Sequence, residues 1–443
     1  MPNEHNKRWP WLAIGLSILG YLFIGYGIER PETLKLLSTF ALIFGAYFYL
    51  VYQKKQFSVR QLIYLGIFFR LLFLFSTPLL SDDFYRFIWD GRLWFNGINP
   101  FAELPTYYME HQNKVPFGIN TELFNLINSP THYTVYPPIP QFINWVAAWL
   151  ASDSIWLSGV IMRVAHIAAE VGTLLLFPQV LRAFKIEVKN IAWYALNPLI
   201  IIELVGNLHH EALMIFFLML FLSHYVKQNW SWAAFAFAMA VAAKLIPLMF
   251  LPAVLLRLNV KENIRFMAVF SISLLAVFVP LLEPSFFRGI ENSLLLYYQK
   301  FEFNAGIYYA FRQIGYWVNG YNMIALIGKL FALEVTVSIL IISFASYYKK
   351  AKLTETFLWI STVFALFSLI LHPWYIALVI LFATLTRYKF GVLWSLLIMS
   401  TYAGYSAIGF QEIMAIVAIE FVAILVMILY EIRKYRYAKL NAK

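Results

Sequence analysis

Long apolar runs recur from one end of the chain to the other, separated by short clusters of lysine and arginine. A helix needs about 20 apolar residues to cross the hydrocarbon of a bilayer. Only helices and closed barrels can make that crossing with their backbone groups satisfied. Composition extends the point to the whole chain: 61% of its 443 residues are hydrophobic and 13% are charged. Soluble chains are about 45–50% apolar and about 25% charged, and single soluble cores stop growing at about 250–300 residues. A soluble enzyme, a nucleic-acid-binding module and a disordered chain are excluded. The chain reads as an all-α, polytopic membrane protein. Its net charge of +11 follows from lysine and arginine collecting in cytoplasmic loops and implies no nucleic-acid partner. With no cysteine, a thiol nucleophile, a thiolate metal site and a disulfide framework are ruled out.

Measured against the bilayer, the runs predict spans at Trp9–Ile28, Leu34–Tyr52, Gln61–Leu80, Ile155–Leu181, Ile191–Val205 and His209–Val226. Further spans are predicted at Ile264–Leu282, Met323–Tyr348, Leu353–Leu371, Trp374–Leu385, Phe390–Ile408 and Glu412–Glu431. That is about 12 full crossings. The Lys7/Arg8 start resembles a signal peptide, but its apolar run is too long and is read as a retained helix. Pro137–Leu150 is too short to span. Trp232–Leu256 is interrupted at Lys244 and Pro247 and predicts two half-helices meeting at Lys244. Of the 34 Lys and Arg residues, 22 fall in clusters on one side of these spans. The positive-inside rule makes that side, and both termini, cytoplasmic. The whole chain, 1–443, then forms a single transmembrane domain with long outer loops at 81–136 and 283–322. Both loops are rich in aromatic residues and predict interfacial helices, with Phe84–Phe95 lying flat on the membrane.

Charged groups at a membrane mouth are functional candidates by default. The densest group opens the first outer loop, Ser81-Asp82-Asp83-Phe84-Tyr85-Arg86-Phe87-Ile88-Trp89-Asp90-Gly91-Arg92. On a helix, Asp82 and Asp83 share a face with Arg86, and Asp90 lies a turn beyond. Ser81 or Asp82 also suits an N-cap, which accounts for one acid of the three. A partly desolvated carboxylate can deprotonate an acceptor hydroxyl, and arginines can clamp a leaving phosphate. Paired acids also offer the oxygen ligands that Mg²⁺ or Mn²⁺ takes, so a divalent cation stays open as a cofactor. A second group, Asn197-Pro198, Glu203 and Gly206-Asn207-Leu208-His209-His210-Glu211, marks an outer turn. Adjacent helical residues diverge by about 100°, so His-His-Glu is a poor metal motif and suits contacts to hydroxyls better. Lys244 at the helix break calls for an anion such as phosphate. Arg312 and the turn His372-Pro373-Trp374-Tyr375 complete the outer set, the last two also serving as interfacial anchors. Arg70, Arg163 and Glu170 lie within spans and read as paired inside the bundle.

The ordered series resembles the GT-C glycosyltransferases, specifically the bacterial polyprenol-phosphate-mannose-dependent mannosyltransferases and their GPI-mannosyltransferase relatives. It runs through Tyr85-Arg86, Trp89-Asp90-Gly91-Arg92, Gly97-Ile98-Asn99-Pro100-Phe101, Tyr136-Pro137-Pro138, Asn197-Pro198-Leu199 and Gly206–Glu211. It continues through Lys244-Leu245-Ile246-Pro247, Phe303-Asn304 with Arg312, and His372-Pro373-Trp374-Tyr375, over roughly residues 60–390. Glu211 stands where many relatives have Asp, and two spans precede the family's usual first helix. The resemblance implies inverting transfer of a hexose, mannose foremost, from a polyprenyl-phosphate donor to a hydroxyl of a lipid-linked or cell-envelope glycan. It implies Asp82 or Asp83 as base, and their charge and side make Arg86, Arg92, Lys244 and Arg312 the candidates for the donor phosphate. Asp90, Asn99, Tyr136, Asn207, His209, Glu211, Asn304, His372, Trp374 and Tyr375 would bind sugar or acceptor. It places the enzyme in a bacterial inner membrane with its site on the periplasmic face. The alternative, a lipid-glycan flippase or secondary transporter, predicts midplane charges and broken helices in both halves; only the break at Lys244 fits it.

Overall fold

The structure, a computed structural model, describes residues 9–299 and 301–440. Helices form almost all of it; the one sheet among the described residues is a hairpin of Tyr405–Ser406 with Gly409–Phe410. Lys7, Arg8 and Lys443, three of the 22 clustered lysines and arginines, lie outside the described residues.

Among the described residues, six helices are long and apolar enough to cross a bilayer: Trp9–Gly27, Thr33–Tyr52, Ile155–Ala183, Val260–Leu281, Ile324–Tyr348 and Met414–Tyr437. A pair bent by 58°, Val188–Ala195 with Pro198–Gly206, makes a seventh if counted as one span. The expectation of about 12 full crossings is therefore wrong. The other apolar runs are broken before they reach spanning length, and the breakers are visible. Gln61–Leu80 yields only Val59–Leu71, with turns and irregular chain leading to Pro78. Leu353–Leu371 stops at Leu366, after which Ile370 pairs with Phe303 as extended chain. His209–Val226 shortens to Glu211–Tyr225, and Trp374–Leu385 becomes Pro373–Thr384, equally long and too short to span. Phe390–Ile408 turns into the hairpin after Gly404. Trp230–Ala243 ends at Lys244, whose backbone is extended, and helix resumes only at Ile246–Leu255. Proline opens several of these pieces (Pro198, Pro247, Pro373), where its missing N–H does no harm.

The short pieces make the interior. Ala233, Ala234, Ala236, Ala238, Ala240 and Ala242 are fully buried on Trp230–Ala243, small side chains that let neighbouring helices approach closely. Val260–Leu281 and Ile324–Tyr348, by contrast, are only 17% buried over their apolar windows, as suits helices facing lipid.

Buried charges lock the bent pair in place. Glu170 accepts from Arg70 Nη2 at 2.8 Å and from Tyr194 Oη at 2.8 Å, and both ends of the ion pair are fully buried. Arg70 also donates to the carbonyls of Gly66 and Ala195. Arg163 donates to the carbonyls of Val205 (2.9 Å), Gly206 (3.0 Å) and Ser76. A charge within a bundle persists only when satisfied this way.

The first outer segment is not a flat surface helix. Phe84, Phe87, Ile88, Trp89, Gly91 and Leu93 on Asp83–Phe95 are all buried, because the helix is enclosed by Pro138–Ala151 and its own loop. The contact is backbone-close: a Cβ on Gly91 would lie 2.2 Å from the carbonyl oxygen of Asn144. The loop contributes its own small core around Tyr108, Ile119, Leu123 and Ile127. The second segment carries the helices Pro284–Gln299 and Gly306–Asn319.

Candidate active site

The start of Asp83–Phe95, the turn before Glu211, the break at Lys244 and the turn before Pro373 converge on one cavity of about 1000 Å³. Asp82 stands at the N-cap position but makes no side-chain cap bond. Its carboxylate reaches instead to Arg30, beyond the first helix, at 2.5 Å. Asp83 lines the cavity and accepts from Asn128 Nδ2 at 2.8 Å. One turn on, Arg86 is almost fully buried. Its Nε donates to Asp90 at 2.8 Å and its Nη1 to the carbonyl of His132 at 2.8 Å, while its Nη2 has no partner. Asp90 sits behind the wall and also accepts from Thr134 and from Gln141 (3.0 Å). Arg86 and Asp90 thus staple the 129–134 strip of loop to the helix.

Across the cavity, Glu211 is bonded to Lys244, whose ammonium also lies 4.3 Å from the centre of the Tyr375 ring. His209 stacks on Trp374 at 3.5 Å, and His372 stacks on the same indole at 4.4 Å. The backbone that sets His209 is unusual. Residues 202–206 form a π-helical turn, a feature frequent at functional sites. Leu208 then takes a left-handed φ of 63°. For a non-glycine residue that conformation costs about 1–3 kcal/mol and is retained where surrounding structure enforces it. Together they fold His209 back so that its N–H donates to the carbonyl of Glu203 at 3.2 Å.

Burial pushes the His210 imidazole well below the ordinary histidine range, with His166, Lys244 and His209 adding to the effect. Burial likewise lowers His372 to about 3, reinforced by His209 and Lys244. Both rings are neutral at physiological pH.

One end of the cavity is apolar. Phe331, Ala332, Val335, Thr336 and Ile339 present one face of Ile324–Tyr348, opposed by Ile246, Met249, Phe364 and Phe367. This channel adjoins Lys244 at its polar end and runs along a helix that faces lipid on its other side.

Of the residues singled out from sequence, Asp83, Arg86, Tyr136, His209, Glu211, Lys244, His372, Trp374 and Tyr375 line this one cavity. Asp90 lies behind its wall, fully buried, and Asp82, partly exposed and paired with Arg30, is not among the lining residues. Arg92 is bound to the carbonyls of Gly118 and Asp153, Asn99 to Leu281, and Asn207 to Glu203. Asn304 meets Glu412 and Glu420, and Arg312 pairs with Glu302. Sequence reasoning missed Arg30, Asn128, Tyr402, Tyr405 and Phe410. An arginine at the end of a span poor in other cations was a signal for Arg30; nothing marked the hairpin aromatics. Among the described residues no three His, Asp or Glu side chains converge to hold a metal.

A family model described as alpha-(1->6)-mannopyranosyltransferase, N-terminal domain, matches residues 21–259, more than half of the chain. The chain belongs to that family. It is an integral membrane mannosyltransferase of the GT-C type, moving mannose from a polyprenyl-phosphate donor to a glycan acceptor, and the flippase alternative falls away. The match begins inside Trp9–Gly27 and includes Thr33–Tyr52, so the second helix is no addition to this mannopyranosyltransferase's family domain. No curated protein and no solved structure matches.

Proposed function

We propose that the cavity is where the mannosyl phosphate and the acceptor hydroxyl meet, with Asp83 as the base. The observation that carries this is the division of labour between the two aspartates. Asp82 is tied to Arg30, whereas Asp83 faces the cavity that Lys244, Arg86 and the apolar channel also line. The Asp83 carboxylate takes the acceptor proton. The acceptor oxygen then bonds to C1 of mannose from the face opposite the phosphate, and the C1–O bond breaks with its electron pair leaving on the polyprenyl phosphate. The configuration at C1 inverts, and because a phosphate leaves as a stable anion no general acid is required. Lys244 and Arg86 receive the phosphate. His209, Glu211, Tyr136, Trp374, Tyr375 and His372 shape the sugar subsites, and the channel along Ile324–Tyr348 takes the prenyl chain, whose burial is favoured by about 25 cal/mol per Å².

The site belongs to the outer, periplasmic face, with both termini inside and the whole chain acting as one transmembrane domain. Support comes from where the lysine- and arginine-rich segments meet one another. Lys54 contacts Glu187 and Asn190, Lys189 the carbonyl of Lys55, Lys352 that of Phe184, and Arg257 that of Ala351. Those segments form one pole, apart from the cavity. A lipid-linked acceptor fits a site opening beside the bilayer.

Asp83→Asn tests the reading. With reconstituted enzyme and polyprenyl-phosphate mannose, transfer falls by about 10²–10⁴-fold while donor binding persists. Wild-type turnover by Asp83→Asn would remove Asp83 as the base.

A further inference from the structure

Tyr375, His372, Phe303, Phe410 and Tyr405 form a run of rings along the cavity wall, with successive centres 5.7, 4.4, 4.8 and 4.8 Å apart. A cation stands at each end. The Lys244 ammonium lies 4.3 Å from the centre of the Tyr375 ring, and the Arg30 guanidinium, paired with Asp82, lies 4.6 Å from that of Tyr405. The run thus leads from the ammonium assigned to the phosphate to the acid next to the base. Its far end is held firmly. Phe303 donates its N–H to the carbonyl of Leu369 at 3.0 Å and accepts from Leu371 at 2.8 Å. Gln411 closes the hairpin by donating to the carbonyl of Gly404 at 2.9 Å, and Thr33 donates to the carbonyl of Tyr405 at 3.2 Å. Phe410 packs on Gly404, where a Cβ would lie 2.6 Å from its ring, yet the side chain remains 37% exposed.

We propose that Phe410, flanked by Tyr405, is the acceptor subsite next to the reacting sugar, and that it determines specificity for what the acceptor hydroxyl is attached to. This rests on reading the cavity as the site of transfer. In an inverting displacement the attacking oxygen and the leaving phosphate stand on opposite sides of C1. With the phosphate at Lys244 and the base at Asp83, the body of the acceptor extends beyond Asp83, toward the end that Tyr405 and Arg30 close. The prenyl chain goes elsewhere, to the channel beside Lys244 lined by Ala332, Val335 and Ile339. A pyranose carries hydroxyls around its rim and C–H groups on its faces, and the electron-rich face of an aromatic ring attracts such hydrogens. Rigid rings with charged groups at their margin therefore suit a second sugar, the one that bears the reacting residue, better than they suit a hydrocarbon chain.

The test uses full-length enzyme in lipid nanodiscs with saturating polyprenyl-phosphate mannose. Two acceptors are varied: octyl α-mannoside and octyl α-(1→6)-dimannoside, which adds one sugar. Wild type shows an acceptor KM about fivefold or more lower for the dimannoside, the size of one aromatic contact. In Phe410→Ala the ratio of the two KM values falls to about one. Phe410→Leu keeps an apolar side chain without a ring and loses the ratio as well, whereas Phe410→Tyr keeps the ring and retains it. A wild type that does not distinguish the acceptors overturns the proposal. So does Phe410→Leu with a wild-type ratio, which would reduce Phe410 to apolar packing, or Phe410→Ala with equal losses on both acceptors, which would make the hairpin a brace. These outcomes leave Asp83 untouched. Wild-type turnover by Asp83→Asn is the separate result that removes the transfer-site reading, and this proposal with it.

Discussion

Replacing Lys244 with methionine removes a charge while keeping most of the side-chain volume. A phosphate oxygen about 4 Å from an ammonium at an effective dielectric near 20 gains about 4 kcal/mol. Glu211 stands against the same ammonium and is itself only 2% exposed, while Lys244 is 24% exposed, so much of that attraction is offset before donor arrives. What remains is nearer one charge-assisted hydrogen bond, about 1.5–3 kcal/mol, which corresponds to a rise of about 10- to 150-fold in donor KM. The acceptor KM should hardly change. Lys244→Met also leaves Glu211 buried without its cation, a loss that approaches the few kcal/mol of a broken buried pair, less what solvent at the cavity lip screens. The double variant Glu211→Gln/Lys244→Met separates the effects: thermal stability returns and donor affinity does not. Initial rates of mannose transfer, with donor varied at saturating acceptor, read both. A double variant with wild-type donor KM would show that Lys244 serves only Glu211 and would refute the phosphate assignment.

Three further outcomes are expected. His210 is held neutral by burial, so the unfolded chain takes up a proton before the folded one as pH falls; stability is intact above about pH 6.5 and declines below it. His210→Phe should flatten that decline in thermal inactivation run at pH 7 and pH 5; an unchanged slope would assign the acid sensitivity elsewhere. Gly91→Ala places a methyl group against the Asn144 carbonyl at 2.2 Å and should lower stability by about 1–3 kcal/mol, read as a fall in midpoint temperature. Asp83 and the donor phosphate together offer the oxygen ligands that a divalent cation takes: if such a cation takes part, EDTA abolishes transfer and Mg²⁺ or Mn²⁺ restores it, whereas transfer that survives EDTA leaves the charge of the departing phosphate to Lys244 and Arg86.

Sequence carried the chemistry of the site further than it carried the topology. Charged and aromatic residues stand out in an apolar chain because hydrocarbon tolerates them so poorly, and nine of those singled out line one cavity although they are scattered from Asp83 to Tyr375. Hydropathy could not say where each apolar run stops being a helix. Glu211–Tyr225 and Trp230–Ala243 are as apolar as spans but are buried in protein, and a run that packs on helices looks like one that packs on lipid. Asp90 and Arg92 shared the motif of Arg86, yet helical period alone could not tell which charges would face the cavity and which would bind loop carbonyls. The walls supplied by Tyr402, Tyr405 and Phe410 depend on a hairpin replacing the end of an expected span, and no local pattern announces it.

Arg30 joins the connection between the first two helices to the acid beside the base, and its guanidinium also lies 4.6 Å from the centre of the Tyr405 ring. Thr33 at the start of the second helix also donates to the carbonyls of Tyr402 and Tyr405, so two side chains couple the amino-terminal helical hairpin to the 402–405 segment. Engineering that trimmed this hairpin as a dispensable anchor would unfasten Asp82 and Tyr405 together, leaving an open, unfocused vestibule even if every residue near the sugar were retained.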